Sequence, residues 1–411
     1  MEIESTDVSE TNFSLDADPK FKFLDSLELD QDVKRRLSLN LKSTVQGNNE
    51  ILISPIGREG KDKVLLDELD KVFKSKQSSL LKPLIDLEIL NRSKFGPRSI
   101  ALPWSERAKD LNASFDDINP SYDLDVSYSN TGRLRPISLE NAMKLLKNDT
   151  NSGLPYYTRK GKIKDQALKD YDEILAQKYP CILFTRTQEQ KKTRNVWGYP
   201  ICDTLNEMRY YSPLLSHQRL KSYRSALVGP EEVNSHLTRI ITKAISLGYT
   251  IISIDFKQYD TTVRTKLQGY ARDNVKSLFQ NEYSKDIDVV FDRLNTIPII
   301  TPDGILRGRH GIPSGSTFTN EVDSIVQMLI STTLDYINID DCQIQGDDGV
   351  YIVPNDKVDY TFDHFEKFKL LVGRDKTYPS SNYAIYLQNL YHDEYRKDGI
   401  IRGIYPIYRA L

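Results

Sequence analysis

Gln345-Gly346-Asp347-Asp348-Gly349 lies between two short apolar runs, residues 342–345 and 350–353. Two extended runs joined through glycine and aspartate read as a β-hairpin with the adjacent acids at its tip. Carboxylates about 4 Å apart repel by about 4 kcal/mol at an effective dielectric of about 20. A folded chain tolerates such a pair best around a cation, and a divalent metal is the natural partner. The same five residues also suit a solvated Asp-Gly turn, and the pair alone does not choose between the two.

The segments upstream supply the context. A helix is expected after Gly315, with Val322, Ile325, Val326, Leu329 and Ile330 on one apolar face. It is entered through Pro313-Ser314-Gly315-Ser316-Thr317-Phe318-Thr319-Asn320, a hydroxyl-rich glycine loop able to cradle phosphates, to hydrogen-bond a ribose, or simply to cap the helix. Residues 297–301 and 305–308 flank Pro302-Asp303-Gly304 as a second hairpin, and residues 263–294 read as mostly helical. Residues 250–256 form a short strand that Asp255 ends, with Asp260 five residues on. In a continuing strand those acids would face opposite sides, so the chain must turn after Asp255 if both serve one site. A strand-end acid and a helix cap are the plainer reading of this pair. Taken with Asp347 and Asp348, a strand-end acid beside an acidic hairpin is an arrangement for two Mg²⁺ ions, which take oxygen ligands and leave positions for phosphates.

Cations concentrate between residues 186 and 224. Arg186, Lys191, Lys192, Arg194, Arg209, Arg219, Lys221 and Arg224 stand against three acids, Glu189, Asp203 and Glu207. Most charge runs are solvated helix faces. Here Lys191-Lys192-Thr193-Arg194 runs into Val196-Trp197-Gly198-Tyr199-Pro200, which reads as a strand, and a basic strand beside a Trp suits a phosphate-bearing ligand.

The rest bounds the fold. At 411 residues and 39% hydrophobic content the chain is long enough for a multi-lobed globular protein. Its 56 basic and 58 acidic residues nearly cancel, so a polyanion must be met by local charge. Cys181, Cys202 and Cys342 are far apart, and no metal-ligand spacing joins them to the five histidines, which argues for a reducing compartment and against structural zinc. No apolar run approaches 18 residues and the N-terminus is acidic, so a soluble intracellular protein with no membrane partner is expected. Residues 1–20 read as a disordered acidic tail and residues 21–92 as helical, with Leu65, Leu66, Leu69, Val72 and Phe73 marking a core-facing stripe. Residues 96–136 read as long loops and residues 138–147 as a short helix. Hairpins mixed with helices, without regular βαβ repeats, imply an α+β fold with a largely antiparallel sheet.

From about residue 151 onward the chain resembles the viral RNA-dependent RNA polymerases, in particular those of picobirnaviruses and, more distantly, partitiviruses, both with double-stranded RNA genomes. Asp255 and Asp260 match the first palm motif of that family, residues 314–320 the second and Gly346-Asp347-Asp348 the third. Arg186, Lys191, Lys192 and Arg194 fall in the basic fingers motif that neutralises the incoming triphosphate. Thr150-Asn151-Ser152-Gly153-Leu154-Pro155 is similar to the template-entrance motif, Gly373-Arg374-Asp375-Lys376 to the palm segment whose lysine protonates pyrophosphate, and Tyr386-Leu387-Gln388-Asn389 to the strand that grips the primer.

The resemblance implies a right-hand fold of fingers, palm and thumb. Its expected divisions are an N-terminal helical region with the start of the fingers at 21–148, fingers at 149–249, palm at 250–261 and 307–385, a fingers insertion at 262–306, and a primer-grip strand with the start of a thumb at 386–411. The thumb is expected to be truncated. It further implies that Asp255 and Asp347, assisted by Asp348, hold two Mg²⁺ ions, replaceable by Mn²⁺, and that Lys376 is a general acid. Arg186, Lys191, Lys192 and Arg194 would bind the NTP phosphates. Asp260 with Ser314, Gly315, Thr319 or Asn320 would sense the ribose, and Ser152, Gly153 and Gln388 would meet template or primer. Partners would be template and nascent RNA, NTPs and a viral capsid protein, in the host cytoplasm within the virion. One position departs from the pattern. Many positive-strand relatives carry Asn four residues after the Thr of the second palm motif, where this chain has Asp323, while Asn320 directly follows Thr319. Which of them meets the ribose stays open at this level. A reverse transcriptase shares the palm but usually has an aromatic residue at the place of Asp260 and Tyr-x before the paired acids. A non-catalytic RNA-binding scaffold and a metal-dependent nuclease are the readings from other classes.

Overall fold

A computed structural model describes residues 19–50, 58–94, 100–128, 131–188 and 192–410. The expected tail falls almost wholly outside them. Its last residues, Pro19 and Lys20, begin a 3₁₀ segment, Pro19–Ser26, that buries Phe21 and Leu24.

The fold is mixed α/β with mainly antiparallel sheets, as expected. One four-stranded sheet runs in the order Thr193–Gly198, Cys181–Thr187, Ile299–Thr301, Gly304–Leu306, and only its middle pair is parallel. The other runs Tyr378–Ser380, Thr250–Ile254, Asp348–Val353, Gln343–Gln345 and is antiparallel throughout.

This second sheet carries the acids, and it is buried on both faces. Side chains alternate along a strand. Ile252, Ile254, Tyr351 and Val353 therefore pack on one side with Val322, Val326 and Leu329 of the helix Thr319–Thr332. Ile251, Val350 and Ile352 pack on the other with Val233, Leu237, Ile240, Ile241 and Ala244 of the helix Pro230–Leu247. Two-sided burial explains the unbroken apolar runs, and each buried aliphatic side chain stabilises the sheet by about 1.5–3 kcal/mol. The frame holding the acidic turn is thus among the best-packed parts of the molecule.

The chain turns between Asp255 and Asp260, as it must if both are to serve one site. It breaks at Asp255, resumes over Phe256–Lys257 against Leu371–Val372, and reverses only at Gln258, whose φ is 52°. Two expectations fail. The stripe from Leu65 to Phe73 does form a helix, Asp62–Lys76, but none of its residues is buried and Val72 is 55% exposed. It rides on the surface, where Phe73 meets the ring of Tyr408. Residues 96–136 are not all loop: Trp104–Ala113 is a helix burying Trp104, Arg107 and Leu111. Its ten residues contain neither Gly nor Pro, and only the turn-rich flanks had suggested a loop.

No helix among the described residues is long and apolar enough to cross a membrane. The three cysteines are unpaired and buried, and burial pushes the Cys202 thiol up to about 12.

Candidate active site

Gln345 pairs with Asp348 across the acidic turn, so Gly346 and Asp347 are its two central residues. Gly346 has a φ of 66°, a conformation in which a side chain is strained, and a Cβ there would come within 2.9 Å of Asn320 Nδ2. One residue beyond the Ile254–Gly349 pair on the neighbouring strand lies Asp255. The sheet register alone thus sets Asp255 beside Asp348.

The three acids act on one another. Burial, then Asp347 and Asp255, push the Asp348 carboxyl up to about 7. Burial also raises that of Asp255; Lys376 is the largest opposing influence, Asp347 and Asp375 add to the rise, and Lys192 opposes it. Charged forms that are disfavoured by burial and by like charge are what a cation would relieve. As they stand, no three His, Cys, Asp or Glu side chains among the described residues converge closely enough to hold an ion. The donor set is nonetheless all carboxylate oxygen, suited to a hard divalent cation.

Lys376 reaches the acids because the segment around it wraps the backbone of Asp255. Gly373 N–H donates to the Asp255 carbonyl at 2.7 Å, and Asp255 N–H donates to Thr377 Oγ1 at 3.2 Å. A Cβ on Gly373 would lie 2.7 Å from Asp255 Oδ2, so any larger residue there would push against the Asp255 carboxylate. The cations come from the other sheet. Arg186 and Arg194 are cross-strand partners, and Lys192 immediately precedes the second strand. All three are exposed, and none forms an ion pair among the described residues. Lys192 acts on Asp255 and Arg194 on Asp260.

Asp260 sits in the first turn of Tyr259–Thr262, just after the reversal at Gln258. Its partner is Asp323. Burial, then Asp260 and Asp347, hold the Asp323 carboxyl well above the usual range, while its side-chain hydrogen bond with Asp260 lowers that of Asp260. Asp323 is 3% exposed, and its Oδ1 has no hydrogen-bond partner in the structure.

Acids at a strand end and a two-residue turn, cations on a facing hairpin and a glycine loop leading into a buried helix occupy most of residues 186–376. The model of the family described as viral RNA-dependent RNA polymerase matches residues 104–400. The chain belongs to this family.

Among similar proteins, a potential RNA-dependent RNA polymerase of human picobirnavirus (strain Human/Thailand/Hy005102/-) is 27% identical over 407 residues, covering 90% of this chain and 75% of that protein. An RNA-directed RNA polymerase of Cryptosporidium parvum virus 1 (strain KSU-1) is 27% identical over 289 residues, covering 61% of this chain and 53% of its own length. The crystal structure of an insertion-loop deletion mutant of a human picobirnavirus RNA-dependent RNA polymerase superposes with a TM-score of 0.79 at 25% identity, covering 92% of this chain and 80% of that one. That without the deletion gives 0.75 at 23% identity over 90% and 76%, a likeness of fold.

In this polymerase the expected ribose-sensing residues divide by location. Thr319 Oγ1 is spent inside its own loop, on the Pro313 and Ser316 carbonyls at 3.0 Å each. Asn320 Oδ1 accepts from Gln345 Nε2 at 2.8 Å and faces the acidic hairpin instead of Asp260. Ser314 and Gly315 are pinned to the basic strand: Trp197 N–H donates to the Ser314 carbonyl at 3.0 Å, and a Cβ on Gly315 would lie 2.0 Å from the Trp197 carbonyl. The departure noted at Asp323 therefore falls at the position beside Asp260.

Two residues expected at the template are inside the molecule. Ser152 is fully buried and Gly153 packs on the Tyr199 backbone, so both help build the turn itself. Gln388 is exposed at a hairpin tip where Leu387 and Gln388 both have positive φ. Lys191 lies outside the described residues. Sequence reasoning missed the polymerase's buried supports: Arg224 and Glu321, a fully buried pair at 2.6 Å, and Ser324, Gln327 and Glu207. A cation and acids with no exposed surface were the only available signal, and burial is invisible in one sequence.

Proposed function

We propose that the chain synthesises RNA by attack of an RNA 3′ hydroxyl on the α-phosphate of a templated nucleoside triphosphate, forming a phosphodiester and releasing pyrophosphate, on a double-stranded viral genome. The observation that carries this reading is the sheet register that sets Asp255 beside the Asp347–Asp348 turn, with Lys376 and Lys192 as the cations acting on it. Asp255, Asp347 and Asp348 would hold two divalent cations, Mg²⁺ or Mn²⁺, which when bound lower the pKa of the attacking hydroxyl and neutralise the leaving group. The exposed Arg186, Lys192 and Arg194 orient the triphosphate, arginine by its planar fork and lysine as a point charge. Lys376 gives a proton to the departing pyrophosphate.

Asp260 accepts a hydrogen bond from the ribose 2′ hydroxyl, and Asp323 steers Asp260 toward it. In right-hand terms the antiparallel sheet of the acids is the palm and the basic hairpin belongs to the fingers. Double-strandedness rests on the likeness to the picobirnavirus proteins. Primer extension on an RNA template, with and without Mg²⁺, tests the reading. Elongation should need the metal and the RNA template; metal-independent incorporation would overturn it.

A further inference from the structure

We propose that Glu207 is a positioning residue that latches the 314–318 loop beneath the incoming nucleotide, a role that rests on the polymerase reading and deepens it. Glu207 lies on the helix Ile201–Gln218, away from every segment that carries the acids or the exposed cations, and is 4% exposed. Both its oxygens are spent on the loop. Ser316 Oγ donates to Oε1 at 2.9 Å and Thr317 N–H to Oε2 at 2.7 Å, while Ser316 Oγ accepts from Phe318 N–H at 3.0 Å. From the opposite side Trp197 holds Ser314 and Gly315 through its backbone. The loop is therefore gripped between a helix and the basic strand, and it leads straight into the helix that bears Asn320, Asp323 and Ser324.

An acid is an expensive choice for this place. A buried carboxylate ordinarily has a cation beside it, and Glu207 has none among the described residues. The charged group acting on it, Asp203, is itself an acid, committed to Arg293 at 2.7 Å. The other titratable groups facing it, Cys181 and Tyr199, are held neutral by burial. Its bonds to the loop are the only return for burying it. Burial pushes the Glu207 carboxyl up to about 7, with the Thr317 and Ser316 bonds opposing. Ionised, it accepts from both Ser316 Oγ and Thr317 N–H, and these two bonds are what favour the charged form against burial. Glutamine keeps one acceptor for Thr317 N–H and replaces the other with an amide donor that Ser316 Oγ can accept, with no charge to bury.

The test combines hydrogen–deuterium exchange over residues 314–318 with steady-state NTP incorporation by the full chain. Glu207→Ala should speed exchange at Thr317 and Phe318 and raise the NTP KM roughly tenfold, the effect of about one lost hydrogen bond to a charged group, with a smaller change in kcat. Glu207→Gln, which keeps an acceptor for Thr317 N–H and can present an amide donor to Ser316 Oγ, should hold exchange and KM closer to wild type than Glu207→Ala does. Ser316→Ala, which removes half of the latch without touching Glu207, should move both readouts in the direction of Glu207→Ala even where that variant fails to fold. Wild-type exchange and KM in Ser316→Ala, or in a folded Glu207→Ala, would overturn the proposal. Exchange reads the latch without catalysis, so failure of wild type to make RNA would sink the polymerase reading separately.

Discussion

The side-chain amide of Gln345 donates to the amide oxygen of Asn320 at 2.8 Å, tying the residue before the acidic turn to the first turn of the Thr319–Thr332 helix. Further along the same stripe, Ser324 Oγ accepts Gly346 N–H at 2.7 Å, and Gln327 Nε2 reaches the Asp347 carbonyl at 3.5 Å. Positions 320, 324 and 327 share one helix face. The two bonds to Gly346 and Asp347 go to backbone and none of the three to a carboxylate, so the turn is fixed while its acids keep their oxygens.

Asn320→Ala should therefore act on stability and kcat and leave sugar choice alone. Loss of the acceptor strands Gln345 and part of Arg224, at a cost of about 1–3 kcal/mol. Thermal melts and the ratio of NTP to dNTP incorporation check this. A large loss of sugar discrimination would return Asn320 to the ribose.

Asp347→Asn should abolish elongation and leave RNA template binding nearly unchanged, because it removes a charged oxygen ligand without disturbing the turn. Primer extension alongside a template-binding titration reads both. Full activity in that variant would remove Asp347 from the metal site.

Asp323→Asn keeps a hydrogen-bond donor toward Asp260 and should retain preference for ribonucleotides. Asp323→Val has no donor and should erode it at least tenfold, out of the roughly 10⁴ to 10⁵ that a site built for a hydroxyl can supply. Competition between an NTP and its dNTP measures the loss.

Arg224 and Glu321 are fully buried and paired, and Arg224 Nη2 also lies 3.3 Å from Asn320 Oδ1 and from Gln345 Oε1. Arg224→Met alone leaves a buried carboxylate unpaired and should cost about 3–5 kcal/mol in urea denaturation. Adding Glu321→Leu should restore part of that loss. If the double variant were as unstable as the single one, the pair would matter for more than charge compensation.

Glu207 gives the fold a pH dependence of defined sign. Burial pushes its carboxyl from an ordinary 4.5 up to about 7 in the folded chain, so the folded state binds the proton more tightly. The associated stability is complete below about pH 4.5 and is lost as pH rises through about 7. At about 1.4 kcal/mol per unit it amounts to about 3 kcal/mol as an upper limit. Glu207→Gln should flatten the fall in melting temperature between about pH 5 and pH 8.

Much of the site was legible because its parts are short and ordered along the chain. Asp255 at a strand end, the Ser314-Gly315 loop and the Asp347-Asp348 turn are each local patterns, and the strands and helices between them have unmistakable periods. The stripe from Leu65 to Phe73 shows the limit of that signal. It predicted a helix correctly and its burial wrongly, since periodicity reports an apolar face and says nothing of what covers it. Trp104–Ala113 failed in the opposite way, a buried helix hidden between turn-rich flanks.

The sequence by itself determined which acids and cations stand as candidates for the chemistry, and their order along the chain. Only the tertiary structure decided how those groups are held. That Asn320 serves the hairpin while Asp323 lies against Asp260, that Arg224 and Glu321 are buried together, and that Glu207 closes on Ser316 and Thr317 all depend on contacts between residues 25 to 110 positions apart. Residue identity sets what a side chain can donate, accept or ionise. The packing of two sheets against a buried helix sets which partner it reaches and whether water competes, and that is where a polar residue becomes a brace, a proton holder or a ligand.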